Sequence, residues 1–315
     1  MNILVVTYPF GRCGDKPVKL LKETGWNIKY SLMGRRLREN EVRDMLGGVD
    51  AVIAGTESYN RETINFAKDL KVISRVGIGL DNVDFFVCKE KGIKIAYTPE
   101  APSDAVADLT IAQILNLLRY IHVSNKSIRA GEWKRITGLS IKQIKIGILG
   151  VGRIGKRVID RLKPFGANIL ACDIKSIDNV DGVTWVDKDT LFKESDLISV
   201  HIPMNKKNSQ FVSMNEFSMM KEGSYFINTS RGGVINERDL KTCLFNHLAG
   251  AALDVFEKEP YTGEMTKMDN VILTAHLASS DRRSRYLMEL GAVENCIKLL
   301  NGEIPKDIVT ERSYE

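Results

Sequence analysis

The chain has 315 residues, more than a usual single domain, so two domains are expected. Its hydrophobic content of 43% and charged content of 27% are those of a globular protein, and no apolar run is long enough to span a bilayer. A net charge of +5, spread evenly along the chain, argues against nucleic-acid binding. The five scattered cysteines predict reduced thiols rather than disulfides, and with only four histidines no metal site is predicted. The first residues indicate a strand rather than a signal peptide, so we expect a cytoplasmic protein.

The first third of the chain alternates short Val- and Ile-rich runs with segments of helical periodicity. Strands are predicted at 2–7, 26–32, 51–54, 71–76 and 93–97, and helices near 15–25, 40–47, 60–68 and 84–91. Continuous apolar strands that alternate with helices are typical of a parallel sheet covered on both faces.

A long helix predicted over 103–121 precedes a second series of the same kind. Its strands are predicted at 144–149, 168–172, 197–202, 225–229, 250–255 and 271–275, and a last helix at about 281–300. The sequence therefore predicts an α/β protein with two doubly wound parallel-sheet domains.

A glycine-rich motif lies between a predicted strand and a predicted helix of the second series. The sequence GVGRIG has Gly150 for a tight turn, Gly152 for close approach of the backbone to a pyrophosphate, and Gly155 for close packing of the helix. Asp173 follows 18 residues after Gly155, at the end of the next strand, where it would accept hydrogen bonds from the adenosine ribose and repel a 2′-phosphate. The motif predicts dinucleotide binding and favours NAD over NADP, although Lys175, two residues further on, leaves room for a phosphate.

Three polar residues follow three further strands of the same series. Arg231, Glu259 and His276 would therefore emerge at the carboxyl edge of the sheet, where open α/β sheets bind ligands. An arginine binds a carboxylate, a histidine donates a proton to a carbonyl oxygen, and an acid orients the imidazole. With a hydride from NADH, this set suits the reduction of a 2-keto acid.

Several segments of the chain, in the same order, resemble the D-isomer-specific 2-hydroxyacid dehydrogenase family, particularly its phosphoglycerate-dehydrogenase-like branch. The strongest are RVGIGLDNVD (75–84), TPEAPSDAVADLT (98–110), GILGVGRIGKRV (147–158), DLISVHIPM (196–204), FINTSRGGVIN (226–236), GAALDVFEKEP (250–260) and NVILTAHLA (270–278). The resemblance implies a Rossmann NAD-binding domain, residues 102–282, inserted into a flavodoxin-like substrate-binding domain of residues 1–101 and 283–315. It also implies a homodimer formed through the NAD-binding domain.

The resemblance assigns roles to individual residues. Arg231 would bind the substrate, Glu259 would partner the histidine, and His276 would act as acid and base. The residues that would line the NAD site, with the three glycines and Asp173, are Arg153, Ile154, His201, Pro203, Thr229 and Asp254. The residues that would bind the substrate are Arg75, whose relatives help hold a phosphate, and the loop of Val76, Gly77, Ile78 and Gly79, which offers backbone N–H groups to the carboxylate.

The substrate is less sharply predicted because the chain departs from the family pattern. Ala54 stands where phosphoglycerate dehydrogenases place an arginine for the phosphate, and Glu57 adds a negative charge nearby. Ala275 replaces a proline that commonly precedes the catalytic histidine. A small 2-hydroxy acid of three or four carbons is favoured; the alternatives are 3-phosphoglycerate, hydroxypyruvate or glyoxylate. A different class, an NADH-binding sensor similar to transcriptional corepressors, shares the fold.

Overall fold

The computed structural model of the chain describes residues 1–174 and 180–310. Lys175 lies outside the described residues. The chain divides into two compact units, the first formed by Met1–Pro102 with the residues from Ser279 onward, and the second by Ser103–Ala278. No helix in the described part is long and apolar enough to cross a membrane.

Both units are built on parallel strands. In chain order the strands are β1 Asn2–Val5, β2 Asn27–Tyr30, β3 Ala51–Ala54, β4 Val72–Arg75, β5 Lys94–Ala96, β6 Lys145–Leu149, β7 Asn168–Cys172, β8 Thr184–Trp185, β9 Leu197–Val200, β10 Tyr225–Asn228, β11 Gly250–Leu253 and β12 Val271–Leu273. The α-helices are α1 Lys16–Glu23, α2 Glu39–Met45, α3 Arg61–Phe66, α4 Phe85–Glu90, α5 Ser103–Leu118, α6 Ile121–Arg129, α7 Arg153–Leu162, α8 Lys188–Glu194, α9 Met214–Met219, α10 Glu237–Asn246 and α11 Arg282–Leu300.

The first unit has a five-stranded parallel sheet in the order β2-β1-β3-β4-β5. Every residue of β3 and β4 is buried, because helices cover both faces of the sheet. Local signals set the helix starts: the Asp84 side chain accepts a hydrogen bond from the backbone N–H of Val87 and caps α4. The chain returns to this sheet at its end, where Ala292 and Cys296 of α11 join the same buried cluster as β1 and β3.

The second unit has a seven-stranded parallel sheet in the order β12-β11-β10-β9-β6-β7-β8. The chain leaves β6 towards β7 and β8, and then returns to the other side of β6 with β9. The strand order therefore reverses between β6 and β9, which creates a crevice at their carboxyl ends. This architecture confirms the prediction of two doubly wound parallel α/β domains.

The structure corrects the prediction in the middle of the chain. The helix predicted over 103–121 is α5, which ends at Leu118, and a second helix that was not predicted, α6, begins at Ile121. They are separated at Tyr120, which has a left-handed φ of 51° that an α-helix cannot contain. The Tyr120 hydroxyl lies 2.9 Å from that of Tyr225, a tertiary contact that residue patterns do not reveal. The short elements β8, α8 and α9 were not predicted.

Candidate active site

In the glycine loop between β6 and α7, other atoms crowd Gly150 and Gly155, whereas the space next to Gly152 is open. Gly150 has a φ of +92°, and a Cβ there would lie 2.8 Å from the backbone carbonyl of His201. A Cβ on Gly155 would lie 2.0 Å from the Gly150 carbonyl oxygen, so that position also requires glycine. Gly152 precedes the first residue of α7, and a Cβ there would meet no atom within 4 Å. The loop thus leaves space at the amino end of a ten-residue helix, which fits an anionic ligand.

Side chains around this loop also fit a dinucleotide. Asp173 follows β7, and its Oδ2 accepts a hydrogen bond of 2.7 Å from the backbone N–H of Val151. Arg153 is the exposed first residue of α7, and Ile154 beside it packs partly into the core. The Thr229 side chain is buried, with its hydroxyl 3.0 Å from that of Thr110 on α5.

His201 follows β9 and faces the same glycine loop. Its Nε2 lies 2.9 Å from the Ser199 hydroxyl, whereas its buried Nδ1 has no hydrogen-bond partner among the described residues. Burial lowers the pKa of His201 to about 3, so the ring is neutral at pH 7. Pro203 is exposed, and its carbonyl accepts a hydrogen bond from Asn208. An orphaned buried nitrogen beside an open glycine loop fits a bound polar ligand at this position.

The His276 imidazole and the Glu259 carboxylate lie within hydrogen-bond distance of each other, beyond the ends of β12 and β11. His276 Nδ1 lies 2.9 Å and 3.0 Å from the two carboxylate oxygens of Glu259. The Glu259 carboxylate also accepts a hydrogen bond from the backbone N–H of Phe256, which fixes its position. Because Nδ1 is committed to the carboxylate, Nε2 is the ring nitrogen that can exchange a proton with a ligand.

Asp254 holds the segment that carries His276. Its fully buried carboxylate accepts hydrogen bonds from the Thr274 hydroxyl at 2.6 Å and from the N–H groups of Leu277 and Ala278, both at 2.9 Å. The His276 N–H donates to the Asp254 carbonyl at 2.8 Å. His276 itself has a left-handed φ of 48°, which is unfavourable for a residue with a Cβ. These contacts stabilise the histidine in a backbone conformation that its side chain alone disfavours.

Arg231 lies in a loop that Asn228 organises from the end of β10. The Asn228 side chain donates to the Arg231 carbonyl at 2.9 Å and accepts from the N–H and hydroxyl of Ser230. Next to the arginine, a Cβ on Gly232 would lie 1.9 Å from the carbonyl carbon of Phe256. This close backbone approach locks the Arg231 loop to the loop that leads to Glu259.

Two residues that the sequence analysis missed contribute to the site. Asn228 is one, although it lies inside the conspicuous FINTSRGG segment. The other is Glu237, whose carboxylate accepts a hydrogen bond of 2.6 Å from the Glu257 N–H. Burial raises the pKa of Glu237, and the charges of Glu257 and Glu259 act in the same direction. Both residues lie in or directly beside the FINTSRGGVIN segment, but the sequence pattern gives no role to either side chain individually.

The predicted substrate loop of the first unit follows β4. Val76 N–H donates to the Ala54 carbonyl at 2.9 Å, and Gly77 N–H donates to the Thr98 hydroxyl at 2.8 Å. Among the described residues, the N–H groups of Ile78 and Gly79 have no acceptor. Of the four amides proposed for a carboxylate, these two are therefore available. Arg75 at the end of β4 is almost completely buried.

The second unit combines a nucleotide-type glycine loop with an arginine, an acid and a histidine at the carboxyl edge of one parallel sheet. That combination defines a dinucleotide-dependent oxidoreductase.

Comparison with known proteins identifies the family. Residues 111–278 match the model described as "D-isomer specific 2-hydroxyacid dehydrogenase, NAD binding domain". The chain is 37% identical over 269 residues to a glyoxylate reductase from Thermofilum pendens, which covers 81% of this chain and 79% of that one. It is 33% identical over 305 residues to a D-3-phosphoglycerate dehydrogenase from Methanocaldococcus jannaschii, 94% of this chain and 57% of that one. A D-lactate dehydrogenase from Aquifex aeolicus, complexed with NAD and lactic acid, superposes with a TM-score of 0.85 at 25% identity, covering 96% of both chains.

The chain belongs to the D-isomer-specific 2-hydroxyacid dehydrogenase family, as the sequence predicted. It is an NAD-dependent dehydrogenase, and residues 111–278 correspond to the NAD-binding domain.

Proposed function

We propose that the protein interconverts a small D-2-hydroxy acid and its 2-keto acid, and that glyoxylate and hydroxypyruvate are its substrates in the direction of reduction. The observation that carries the chemistry is the Glu259 carboxylate bound to Nδ1 of His276. The similarity to a glyoxylate reductase over most of both chains supports this size of substrate.

His276 acts as the proton donor in this proposal. Glu259 orients the ring and stabilises its positive charge, so the proton on Nε2 passes to the C2 carbonyl oxygen of the keto acid. NADH, when bound, supplies the hydride to C2. The products are the 2-hydroxy acid, NAD⁺ and a neutral imidazole, and the reverse reaction uses the same imidazole as the base.

Arg231 binds the substrate carboxylate in this proposal. A guanidinium offers parallel N–H donors that match a carboxylate, and its charge also polarises the neighbouring carbonyl. The hydrogen bonds from Asn228 and the contact at Gly232 hold its loop in place before the substrate arrives. Such preorganisation lowers the cost of positioning the substrate for hydride transfer.

The cofactor is held by the second unit. The pyrophosphate would lie at the glycine loop and the amino end of α7, and Asp173 would accept hydrogen bonds from the adenosine ribose. His201, Pro203 and Thr229 would complete the walls of the site. The Asp173 charge favours NAD over NADP because a 2′-phosphate would meet a carboxylate.

The direct test is NADH oxidation with a panel of 2-keto acids. We expect glyoxylate and hydroxypyruvate to be reduced with NADH in preference to NADPH, and the glycerate formed from hydroxypyruvate to be the D-isomer. The matched control is His276→Gln, which removes the proton donor but keeps a side chain of similar size. No oxidation of NADH with any 2-keto acid of two to four carbons would refute the proposal.

We further propose that the enzyme works as a homodimer through its NAD-binding domain. Exposed Ile121 and Ile128 of α6 line a groove of about 630 Å³, and Trp133, four residues beyond the end of α6, has 84% of its surface accessible. Exposed apolar side chains in one region are typical of protein interfaces. Light scattering should give twice the chain mass, and Trp133→Ser should weaken the dimer more than Phe245→Ser on α10. A monomer at micromolar concentration would contradict this.

A further inference from the structure

Two buried side chains of opposite charge, Glu57 and Arg75, lie at the carboxyl edge of the sheet in the first unit. The chain passes from β1 to β2 on one side and then to β3 on the other, so the strand order reverses between β1 and β3. Open α/β sheets bind ligands at the carboxyl ends of the strands at such a switch point. Glu57 follows β3 here, and Arg75 ends β4, the next strand in the sheet.

The Glu57 side chain is fixed directly beyond the end of β3. It is only 2% exposed, and its Oε2 accepts a hydrogen bond of 2.8 Å from the Gly55 N–H. A Cβ on Gly55 would lie 2.6 Å from that oxygen, so the carboxylate occupies the space that a larger residue would fill. The carboxylate is therefore part of the packed edge of the sheet and does not extend into solvent.

The Arg75 guanidinium lies over the adjacent loop. Arg75 pairs in register with Ala54, and its Nη1 donates to the Val76 carbonyl. A Cβ on Gly77 would lie 3.1 Å from the same nitrogen. The two charged groups thus cover the first turns after two neighbouring strands.

The two charges influence each other. The pKa of Glu57 lies above its ordinary value because burial, the largest influence, raises it more than backbone hydrogen bonds and the positive charges of Arg75 and Arg36 lower it. Arg36, whose guanidinium donates to the Thr56 carbonyl at 2.5 Å, completes the surroundings of the carboxylate.

We propose that Glu57 is a specificity-determining residue that excludes phosphorylated substrates. The available N–H groups of Ile78 and Gly79 suit one carboxylate, and the neighbouring strand ends already hold a buried guanidinium and a buried carboxylate, those of Arg75 and Glu57. A phosphate would bring a second, doubly charged anion next to that carboxylate, where like charges repel strongly. Glyoxylate and hydroxypyruvate carry no second anion and avoid this repulsion. The inference rests on the proposed function, because it concerns the choice among 2-keto acids.

The test compares kcat/KM for phosphohydroxypyruvate and hydroxypyruvate in three proteins: wild type, Glu57→Gln and Glu303→Gln. Glutamine retains an oxygen for the Gly55 N–H but removes the charge, and exposed Glu303 controls for the loss of one negative charge elsewhere in the unit. We expect wild type to prefer hydroxypyruvate, and Glu57→Gln to shift the ratio towards phosphohydroxypyruvate by about tenfold or more. Glu303→Gln should leave the ratio at the wild-type value.

A measurement on the unmodified enzyme covers the case in which Glu57→Gln does not fold. In hydroxypyruvate reduction by wild type, D-glycerate should inhibit at a concentration about tenfold or more below that of 3-phosphoglycerate. Equal inhibition, a wild-type preference for phosphohydroxypyruvate, or an unchanged ratio in folded Glu57→Gln would overturn the inference and leave the dehydrogenase activity standing. If wild type reduces neither keto acid, the proposed function fails and this inference fails with it.

Discussion

Asp254→Asn should separate the positioning of His276 from cofactor binding. The Asp254 carboxylate accepts three hydrogen bonds: Oδ1 from the Thr274 hydroxyl and Leu277 N–H, and Oδ2 from Ala278 N–H. An asparagine whose oxygen keeps the bonds to Thr274 and Leu277 places its NH2 group where Oδ2 was. This NH2 group then faces the Ala278 N–H, so two donors meet and neither has an acceptor. The loss of one hydrogen bond to a charged group, together with the burial of an unpaired N–H, should lower the free energy of unfolding by about 2–4 kcal/mol. Removal of a buried charge offsets part of this loss.

The loss should appear in kcat. The left-handed conformation of His276 costs about 1–2 kcal/mol, so a weakened segment relaxes towards an ordinary backbone and displaces the imidazole. With about 1.4 kcal/mol for each factor of ten, we expect kcat to fall by about tenfold or more. Thr274→Val is the matched control, because it removes only the hydroxyl bond and should cost about 1 kcal/mol.

Three measurements decide the outcome. Urea unfolding gives the change in stability, steady-state kinetics with hydroxypyruvate gives kcat, and fluorescence titration gives the Kd for NADH. A positioning role predicts a lower kcat with an unchanged Kd. If the Kd for NADH rises while kcat at saturation stays at the wild-type value, Asp254 acts on the cofactor and the reasoning from its hydrogen bonds is wrong.

Further predictions concern the proton donor, the cofactor and acid stability. His276→Gln should lower kcat by about 10²-fold or more without loss of NADH binding by titration; unchanged turnover would remove it from the reaction. Asp173→Ala should raise the KM for NADH and reduce the preference over NADPH, and a wild-type preference for NADPH would contradict its role. Burial raises the pKa of Glu216, but Lys188 and Ser213 outweigh this and hold it at about 2, below the ordinary 4.5. The ionised Glu216 therefore stabilises the fold fully above about pH 4.5, and this stabilisation disappears towards pH 2. In Glu216→Gln, the free energy of unfolding from urea titrations should fall by roughly 2–3 kcal/mol less than in wild type when the pH is lowered over this range; an identical fall would refute this.

The sequence alone determined the elements whose causes are local. Apolar runs of strand length alternating with helices require a parallel sheet, because both faces of such strands must be covered. The GVGRIG loop could be recognised in the sequence because its glycines are required by nearby backbone. A Cβ on Gly155 would meet the Gly150 carbonyl, and a Cβ on Gly150 would meet the carbonyl of His201, which follows the neighbouring strand β9. Because Arg231, Glu259 and His276 each follow a predicted strand, the sequence also predicts that they lie at the same edge of the sheet.

Only the tertiary structure decided how these side chains are held. Asp254 was expected to line the cofactor site, and its hydrogen-bond partners proved to lie twenty or more residues further along the chain. The sequence showed that Glu57 carries a negative charge, but its burial against Gly55 and the influence of Arg75 on its pKa depend on the fold, which pairs β3 with β4. The left-handed Tyr120 that separates α5 from α6, and its contact with Tyr225, likewise appear in no local residue pattern. Residue patterns encode which face of an element is apolar, whereas hydrogen-bond partners and burial depend on residues that the fold brings together from distant positions.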